Sequence, residues 1–531
     1  MSHDENEQGN ELGPSTDGIN PSIKVISSQG DLILEYIAPG DSVPTTRKWQ
    51  VESKLLSSNS PYFHALLDPN KFSEGRQFIA QKKAWIESQD SKSDLQHMLP
   101  TVRLPSGILT DLCGDDSIEL FLQILCLESL NEEQSISFKD ELKSLSPSLV
   151  ARLIDLADSF NSPRIVQDVL KNSGYSYGKT KSSLIAKITL STLQMKEDRI
   201  RQIILISAYL NDTKVTKVMT HALLVIGSRF WINGLEYPEE KTLRWRYLPN
   251  GLEGKLSSET FKRLSNYLIR LPIEEMYYRR QCVMNTITDL QAYFLRVYGG
   301  LEDLDSTKPA PNTRTPGAAF TTSAPLTVHL RQFQCRGGLN NASQCDLFQL
   351  GQMIRFFSLR AKTIFLGSTL IDPDFSATPN EESYSVGDGK DGHSSKAPAG
   401  PPSDVTAIIA SLKQYPDYPI DEAHSGCGVR RRIMAPLECI EKFIWDDRGL
   451  LGINFPVSDS SASDISQPTR WIPWADLVNK KQTVEISFAR VTAVSYPSMP
   501  QKNQLSRSTP QEEVGRLLFS AAKRDWTGSS G

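Results

Sequence analysis

The chain has 531 residues, of which 39% are hydrophobic, and a formal net charge of −4 at pH 7. This length predicts about three domains with ordinary cores, and the charge provides no clustered basic surface of the kind that binds nucleic acid. Seven cysteines, an odd number in a long chain, argue against a disulfide framework and favour reduced thiols.

Residues 1–22 are polar and acidic, which predicts a disordered N-terminus and is typical of neither a signal peptide nor a transit peptide. Further along, no apolar run reaches the roughly 18 residues that span a bilayer. We therefore expect an intracellular protein, cytoplasmic or nuclear, that binds neither membranes nor nucleic acid directly.

A strand followed by two short helices is predicted next. Gly30 to Tyr36 is a β-rich run, and Trp49 and Val51 alternate with polar neighbours as in a strand with one buried face. Ser60 caps a new helix that Pro61 can begin. Apolar residues then recur at helical spacings in both helices, and Tyr62 and Phe63 are expected in the core.

More elements follow in the same third of the chain. The run from Thr101 to Leu104 predicts a short strand, and the apolar run from Ile118 to Leu127 predicts a helix. Two more helices are predicted at Leu149–Phe160 and Pro163–Leu170. Between them and the first helices, residues 79–100 read as a polar insertion, a helix or a loop on the surface.

Several motifs in this region resemble the BTB/POZ family, specifically the BTB-containing proteins of filamentous fungi. The motifs are GDLIL, W-x-V, L-L-x-x-x-S-P-Y-F, F-S-E and LVARLIDLADSF. The resemblance covers residues 23–175 and implies a BTB/POZ-like α/β domain. The alternative is a generic small α/β domain with a packed core.

The resemblance also implies partners. BTB domains commonly form homodimers, and some dock on cullin scaffolds of ubiquitin ligases. Phe72, Ser73 and Glu74 match the short element that the family uses for cullin contact, with Phe72 as the anchor and Glu74 as the charge partner. Alternatively, Phe72 merely closes the end of the second helix.

The rest of the chain is predicted to be a helical domain and a C-terminal domain. Residues 182–301 show helical periodicity almost throughout, which predicts an all-α middle region. Composition predicts mobile, disordered linkers at residues 302–328 and 376–404. Residues 329–375 and 405–500 are assigned to a mixed α/β C-terminal domain and residues 501–531 to a tail. The expected fold class is therefore α+β.

Within the C-terminal domain, four apolar residues predict the buried stripe of a helix: Leu347, Leu350, Ile354 and Phe357. Val484 to Val494 reads as a strand, and Trp471 and Trp474 are expected in the core.

One set of side chains could hold a metal ion: Cys335, Cys345, His424 and Cys427. Three thiolates and an imidazole satisfy a tetrahedral structural zinc, and H-x-x-C presents two ligands from one turn. No ligand position would remain for water, so such an ion would stabilise the fold. The alternative is that these are ordinary residues, with Cys427 buried as a small hydrophobe. No other cofactor is indicated.

Motifs for catalysis are missing from the sequence, because no nucleophile elbow, zinc-protease, dinucleotide-binding or kinase pattern occurs. His64 and His221 are expected to be surface or packed histidines. We therefore expect no enzymatic activity. The BTB/POZ resemblance implies a protein-interaction scaffold or adaptor, including a substrate adaptor of a cullin-type ubiquitin ligase. The alternatives are a BTB protein of transcriptional or chromatin assembly and, less favoured, an enzyme with a BTB appendage.

Overall fold

The computed structural model describes fourteen stretches of the chain: 23–37, 46–88, 99–105, 114–178, 185–228, 231–232, 235–236, 272–301, 334–335, 341–364, 404–453, 483–485, 510–521 and 523–526. Together these residues form a mixed α/β structure that is mostly helical. The chain divides between residues 179 and 180 into two compact units, here called the first unit and the second unit.

The first unit contains a small sheet and seven α-helices within its described residues. Its elements are β1 (Ile23–Val25), β2 (Leu32–Ile37), β3 (Thr46–Val51), α1 (Ser53–Asn59), α2 (Pro61–Leu66), α3 (Ser73–Ser88), β4 (Thr101–Arg103), α4 (Asp115–Leu125), α5 (Glu132–Lys143), α6 (Pro147–Ser159) and α7 (Pro163–Ser173). The strand order is β1-β3-β2-β4. β2 and β3 are antiparallel, with Leu34 opposite Trp49, whereas β1 pairs with β3 and β4 pairs with β2 in parallel.

The core of the first unit depends on the predicted Ser-Pro boundary. The Ser60 hydroxyl accepts from the backbone N–H of Phe63 at 3.3 Å and donates to the carbonyl of Phe160 at 2.8 Å, so it joins the start of α2 to the end of α6. Phe63 and Phe160 stack with ring centroids 5.2 Å apart. The ring centroids of Phe121, in α4, and Phe160 are also 5.2 Å apart, and all three rings are buried. Trp49 is buried as well, as the alternation in β3 predicts.

The second unit consists mainly of helices in its described residues. Its elements are α8 (Leu190–Leu193), α9 (Glu197–Tyr209), α10 (Thr213–Ile226), β5 (Trp231–Ile232), β6 (Leu235–Glu236), α11 (Pro272–Val297), α12 (Ala342–Arg355) with a π-helical turn at Phe356–Arg360, α13 (Val405–Lys413), a 3₁₀ turn at Glu422–His424, α14 (Arg430–Ile444), β7 (Thr483–Glu485), α15 (Pro510–Ser520) and β8 (Lys523–Asp525). β5 pairs antiparallel with β6, and β7 pairs in parallel with β8.

Hydrogen bonds join the middle and C-terminal regions, which the sequence assigns to separate domains. On α10, Thr220 Oγ1 accepts from the backbone N–H of Ile453 at 2.9 Å, and His221 bonds to the backbone of Ile444 and Leu451. Arg280 of α11 donates to the carbonyls at the C-terminal end of α10. The described residues of both regions therefore belong to one compact unit.

Gly452 allows this close contact, because a β-carbon at Gly452 would overlap the carbonyl oxygen of Lys217 on α10. We expect Gly452→Ala to push the chain away from α10, strain the Ile453–Thr220 bond and lower the unfolding free energy of the second unit by about 1–3 kcal/mol. A denaturant titration of the full chain, read by hydrogen exchange of α10 peptides, measures this loss.

Gly351 provides the matched control. It lies exposed on α12, and its β-carbon would meet no atom within 4 Å. Gly351→Ala should leave the stability unchanged or raise it by up to about 1 kcal/mol, because alanine favours a helix interior. An equal loss in both variants would contradict the steric argument.

Two findings differ from the predicted all-α middle region. First, β5 and β6 form a hairpin, and the Asn233-Gly234 sequence between them is the dipeptide that favours such turns. Second, the helical pattern before Leu193 is interrupted, since residues 186–189 are not helical and α8 begins only at Leu190. The Thr189 hydroxyl accepts from the backbone N–H of Thr192 at 3.3 Å, which caps a new helix there.

Burial on α12 also differs from the prediction. Leu347 is 60% exposed and Ile354 is 38% exposed, whereas the buried face carries Asp346 and Gln349 beside apolar residues. Each of these residues has a partner from another segment: Asp346 accepts from the backbone of Gln334, and Gln349 donates to a carbonyl of the 415–418 segment. The side-chain oxygen of Gln349 is buried and has no hydrogen-bond partner among the described residues. Of the predicted stripe, Phe357 is fully buried.

The stretch assigned to a C-terminal tail contains α15 and β8, and Trp526 is buried with its indole N–H donating to Asp289 at 2.9 Å. Pro510 and two acidic residues in the first turn are ordinary helix-start signals that the sequence already contained. Several other predictions concern residues outside the described ranges. They are the disorder of residues 1–22, the linkers at 302–328 and 376–403, the burial of Trp471 and Trp474, and the part of the predicted strand that follows Glu485.

Candidate functional site

The predicted partner element lies on the surface of the first unit. Phe72 stands directly before α3 and is 48% exposed. Ser73 donates from its hydroxyl to Glu74 at 2.8 Å. The backbone N–H of Glu74 and the Ser73 hydroxyl lower the pKa of the Glu74 carboxyl, which therefore carries a negative charge at neutral pH.

Two buried residues and one polar network hold α3 in place. Gly75 and Phe78 are buried, and a β-carbon at Gly75 would collide with the backbone of Asp68. Further along α3, Lys82 donates to Asp31 at 2.6 Å, and Asp31 also accepts from the backbone N–H and the hydroxyl of Ser53. Burial alone would raise the pKa of Asp31, but these hydrogen bonds outweigh it and keep that pKa below its usual value.

The exposed face of α3 continues the apolar surface of Phe72. Ile79 is 45% exposed and Ile86 is 54% exposed. The three residues are seven positions apart, a spacing that keeps side chains on nearly the same face of a helix. We call Phe72, Ile79 and Ile86 the α3 row. The sequence contained this spacing, but the insertion was predicted only as a helix or loop, so Ile79 and Ile86 were missed.

A polar groove of about 320 Å³ lies between the start of α3 and the edge strand β4. Its lining residues are Glu35, Glu74, Gln77, Thr101, Val102 and Arg103. Arg103 donates to Glu35 at 3.3 Å, so the wall opposite Glu74 carries both charges. The groove places hydrogen-bonding groups next to the exposed Phe72.

In the second unit, the structure brings three of the four predicted metal ligands together. The sulfur atoms of Cys335, Cys345 and Cys427 all lie within 4.8 Å of one another. Those of Cys335 and Cys427 are 3.7 Å apart, well beyond a disulfide bond of about 2.05 Å. Burial and, to a smaller extent, the two neighbouring thiols raise the pKa of Cys345 to about 12.

Two thiols ten residues apart, Cys335 and Cys345, meet a third, Cys427, that lies more than eighty residues further along the chain. Cys345 lies in the first turn of α12 and is fully buried, whereas Cys427 follows the 3₁₀ turn. Cys335 is positioned by its neighbour, because the backbone N–H of Gln334 donates to Asp346 at 3.0 Å. The cluster therefore depends on long-range packing, although the H-x-x-C pattern is local.

The fourth predicted ligand, His424, is not part of the group within 4.8 Å. It is only 4% exposed, and the backbone N–H of Cys427 donates to its carbonyl at 3.0 Å. Nδ1 lies 2.7 Å from Asp421 Oδ1, whereas Nε2 is buried and has no hydrogen-bond partner among the described residues. Sequence reasoning missed Asp421, which the D-x-x-H spacing could have indicated.

Two other histidines have ordinary surroundings. His64 is exposed on α2. His221 is fully buried, and both of its ring nitrogens bond to backbone groups, at 2.9 Å and 3.0 Å. Burial lowers the pKa of His221 to about 4. Both positions agree with the expectation of surface and packed histidines.

Among the described residues, no helix combines the length and the apolar character needed to cross a bilayer. Comparisons of the chain with protein-family models, with curated proteins and with solved structures find no match.

Proposed function

We propose that this protein is a non-catalytic adaptor whose first unit, BTB/POZ-like in its motifs, binds a cullin-type scaffold through the α3 row and Glu74. The single observation that carries the proposal is the exposed α3 row. An exposed aromatic ring directly before α3 and two exposed isoleucines on α3, next to a charged groove, have the character of a protein-interaction surface.

The chemistry of this surface fits an anchor and a charge partner. Phe72 can insert its ring into an apolar pocket of a partner, while the ionised Glu74 can pair with a basic side chain. Phe78 and the Lys82–Asp31 pair fix the helix, so little ordering is needed on binding. This preorganisation favours a rigid docking element over a catalytic loop.

Phe72→Ala combined with Glu74→Ala is expected to weaken binding to a purified cullin N-terminal region at least about tenfold, because truncation of a buried aromatic anchor commonly costs about 2 kcal/mol or more. Calorimetric titration of the full chain measures the affinity. The fold of the variant is checked by its hydrogen-exchange pattern, which should match the wild type outside the start of α3.

Ile136→Ala is the matched control, since Ile136 is an equally exposed apolar residue of the first unit, 56% exposed on α5 and outside the α3 row. It should bind like the wild type. Wild-type protein that fails to bind, or a Phe72/Glu74 variant that binds with unchanged affinity, would refute the docking role. Homodimerisation, which the resemblance also implies, stays a prediction that sedimentation velocity can measure.

A further inference from the structure

The cysteine cluster of the second unit has the dimensions of a metal site. Two thiolates on one tetrahedral zinc, each with a Zn–S bond of about 2.3 Å, lie about 3.8 Å apart. The Cys335 and Cys427 sulfur atoms are 3.7 Å apart, and Cys345 completes a triangle with no side above 4.8 Å. An ion at the centre of this triangle would need only small movements of the sulfur atoms.

His424 lies outside the group within 4.8 Å, but its carbonyl accepts from the backbone N–H of Cys427, and its side chain supplies a second observation. An ionised carboxylate can only accept, so the 2.7 Å contact with Asp421 places a proton on Nδ1, and in the neutral imidazole Nε2 then carries the lone pair. That nitrogen is buried, and no described residue donates to it. A buried acceptor that lacks a donor is costly, and a metal ion is the kind of partner that would satisfy it.

The Asp421 contact has the form that metal sites use to orient a histidine. Ligating histidines usually donate their second ring nitrogen to a carboxylate or a carbonyl, which fixes the tautomer and the ring orientation. Asp421 also accepts from the backbone N–H of His424 at 3.0 Å, so the carboxylate fixes both the turn and the ring. The Asp421 side chain is itself 51% exposed, so a substitution there can remove its contact with His424 without changing the packing of the core.

We propose that the second unit holds one structural zinc ion, bound by four side chains: Cys335, Cys345, His424 and Cys427. Sulfur-rich, four-coordinate sites with one imidazole select zinc over harder cations. Binding releases the three thiol protons to water, involves no redox change and leaves no open position for a substrate. The ion joins the Cys335 segment and the turn at 422–427 to α12.

This proposal is independent of the docking surface, because all four ligands lie in the second unit. Metal analysis of the full chain, purified without chelators, should give about one zinc per chain. Cys345→Ser and Cys427→Ser should each lose most of the zinc. Cys439→Ser, which changes another buried cysteine of the same unit outside the cluster, should retain it.

A second measurement uses the wild type and so does not depend on whether the variants fold. After zinc is removed with a chelator, titration with Co²⁺ should produce a thiolate-to-cobalt charge-transfer band that saturates at one ion per chain. Wild-type protein that contains no zinc and develops no such band would overturn the site. Iron in place of zinc at equal stoichiometry would overturn the identity of the metal.

The histidine and its carboxylate are tested by affinity. His424→Ala should weaken Co²⁺ binding at least about tenfold, and Asp421→Asn, which keeps every proposed ligand, should weaken it about 10–100-fold. Equal Co²⁺ affinity of His424→Ala and wild type would overturn the assignment of the fourth ligand.

Discussion

Arg279→Ala is expected to lower the unfolding free energy of the second unit by about 3–5 kcal/mol, the usual cost of breaking a buried ion pair. Arg279 is 5% exposed and Glu275 is fully buried. The guanidinium donates to Glu275 at 2.7 Å and to the carbonyls of Leu451 and Gly452 at 2.9 and 2.6 Å. Alanine removes all three hydrogen bonds and leaves a buried carboxylate without this countercharge.

A paired substitution separates the charge from the packing. Glu275→Leu combined with Arg279→Met buries no charge, so it should lower the unfolding free energy clearly less than Arg279→Ala alone. The remaining loss should come from the missing hydrogen bonds to the carbonyls of Leu451 and Gly452. Denaturant titrations read by hydrogen exchange of α11 peptides compare the variants. A loss below about 1 kcal/mol for Arg279→Ala, or equal losses for the two variants, would show that the ion pair contributes little.

Acidification should destabilise the second unit through His221. Its pKa is about 4 in the folded chain and 6.5 in the unfolded reference, because burial excludes the charged form. Between pH 6.5 and pH 4 the imidazole binds a proton in the unfolded state but not in the folded state. The free energy of unfolding is therefore highest above pH 6.5 and falls as the pH decreases. The complete loss is about 3 kcal/mol, of which about 2 kcal/mol is lost by pH 5.

Two charged groups act on the same imidazole: Asp446 favours its protonation and Lys217 opposes it. Carboxyl groups with lowered pKa, such as that of Asp446 itself, add their own loss below about pH 4. The comparison therefore uses denaturant titrations at pH 7.5 and pH 5 on wild type and on His221→Gln, in which the amide does not titrate. The variant should be less stable at pH 7.5 but lose about 2 kcal/mol less between the two pH values. Identical pH dependence in both proteins would contradict this assignment.

The local elements of the first unit could be predicted because their determinants are neighbours in sequence. Ser60 and Pro61 fix the start of α2 whatever the rest of the chain does, and the alternation around Trp49 identifies the buried face of β3. The parallel pairing of β1 could not be predicted in this way. Its three residues, Ile23, Lys24 and Val25, are all exposed, so they have no buried face from which a partner could be inferred, and only the pairing with β3 places them.

The face that α12 buries shows why apolar spacing alone is insufficient. Leu347 and Ile354 have the expected spacing, yet Asp346 and Gln349 are buried instead, because groups more than ten residues away provide hydrogen bonds. For the same reason the joining of the middle and C-terminal regions could not be predicted. It depends on His221 reaching backbone groups more than two hundred residues later.

The candidate metal ligands could be identified as residue types, and the H-x-x-C pattern placed two of them in one turn. Their geometry could not be predicted, since Cys335 depends on Gln334 bonding to α12. The α3 row was readable in principle, because Ile79 and Ile86 follow Phe72 at intervals of seven. What the sequence lacked was any indication that Phe78 and Gly75, rather than these residues, are buried.

Helix α11, with 26 residues and a length of about 39 Å, contacts much of the second unit in turn. Near its start Arg280 bonds to the end of α10, in its middle Asp289 accepts from Trp526, and just past its end Tyr298 accepts from Arg432. Separate fragments cut on either side of this helix would each lose the common support. The second unit is therefore expected to melt cooperatively, and splitting the gene beside α11 is expected to leave neither product folded.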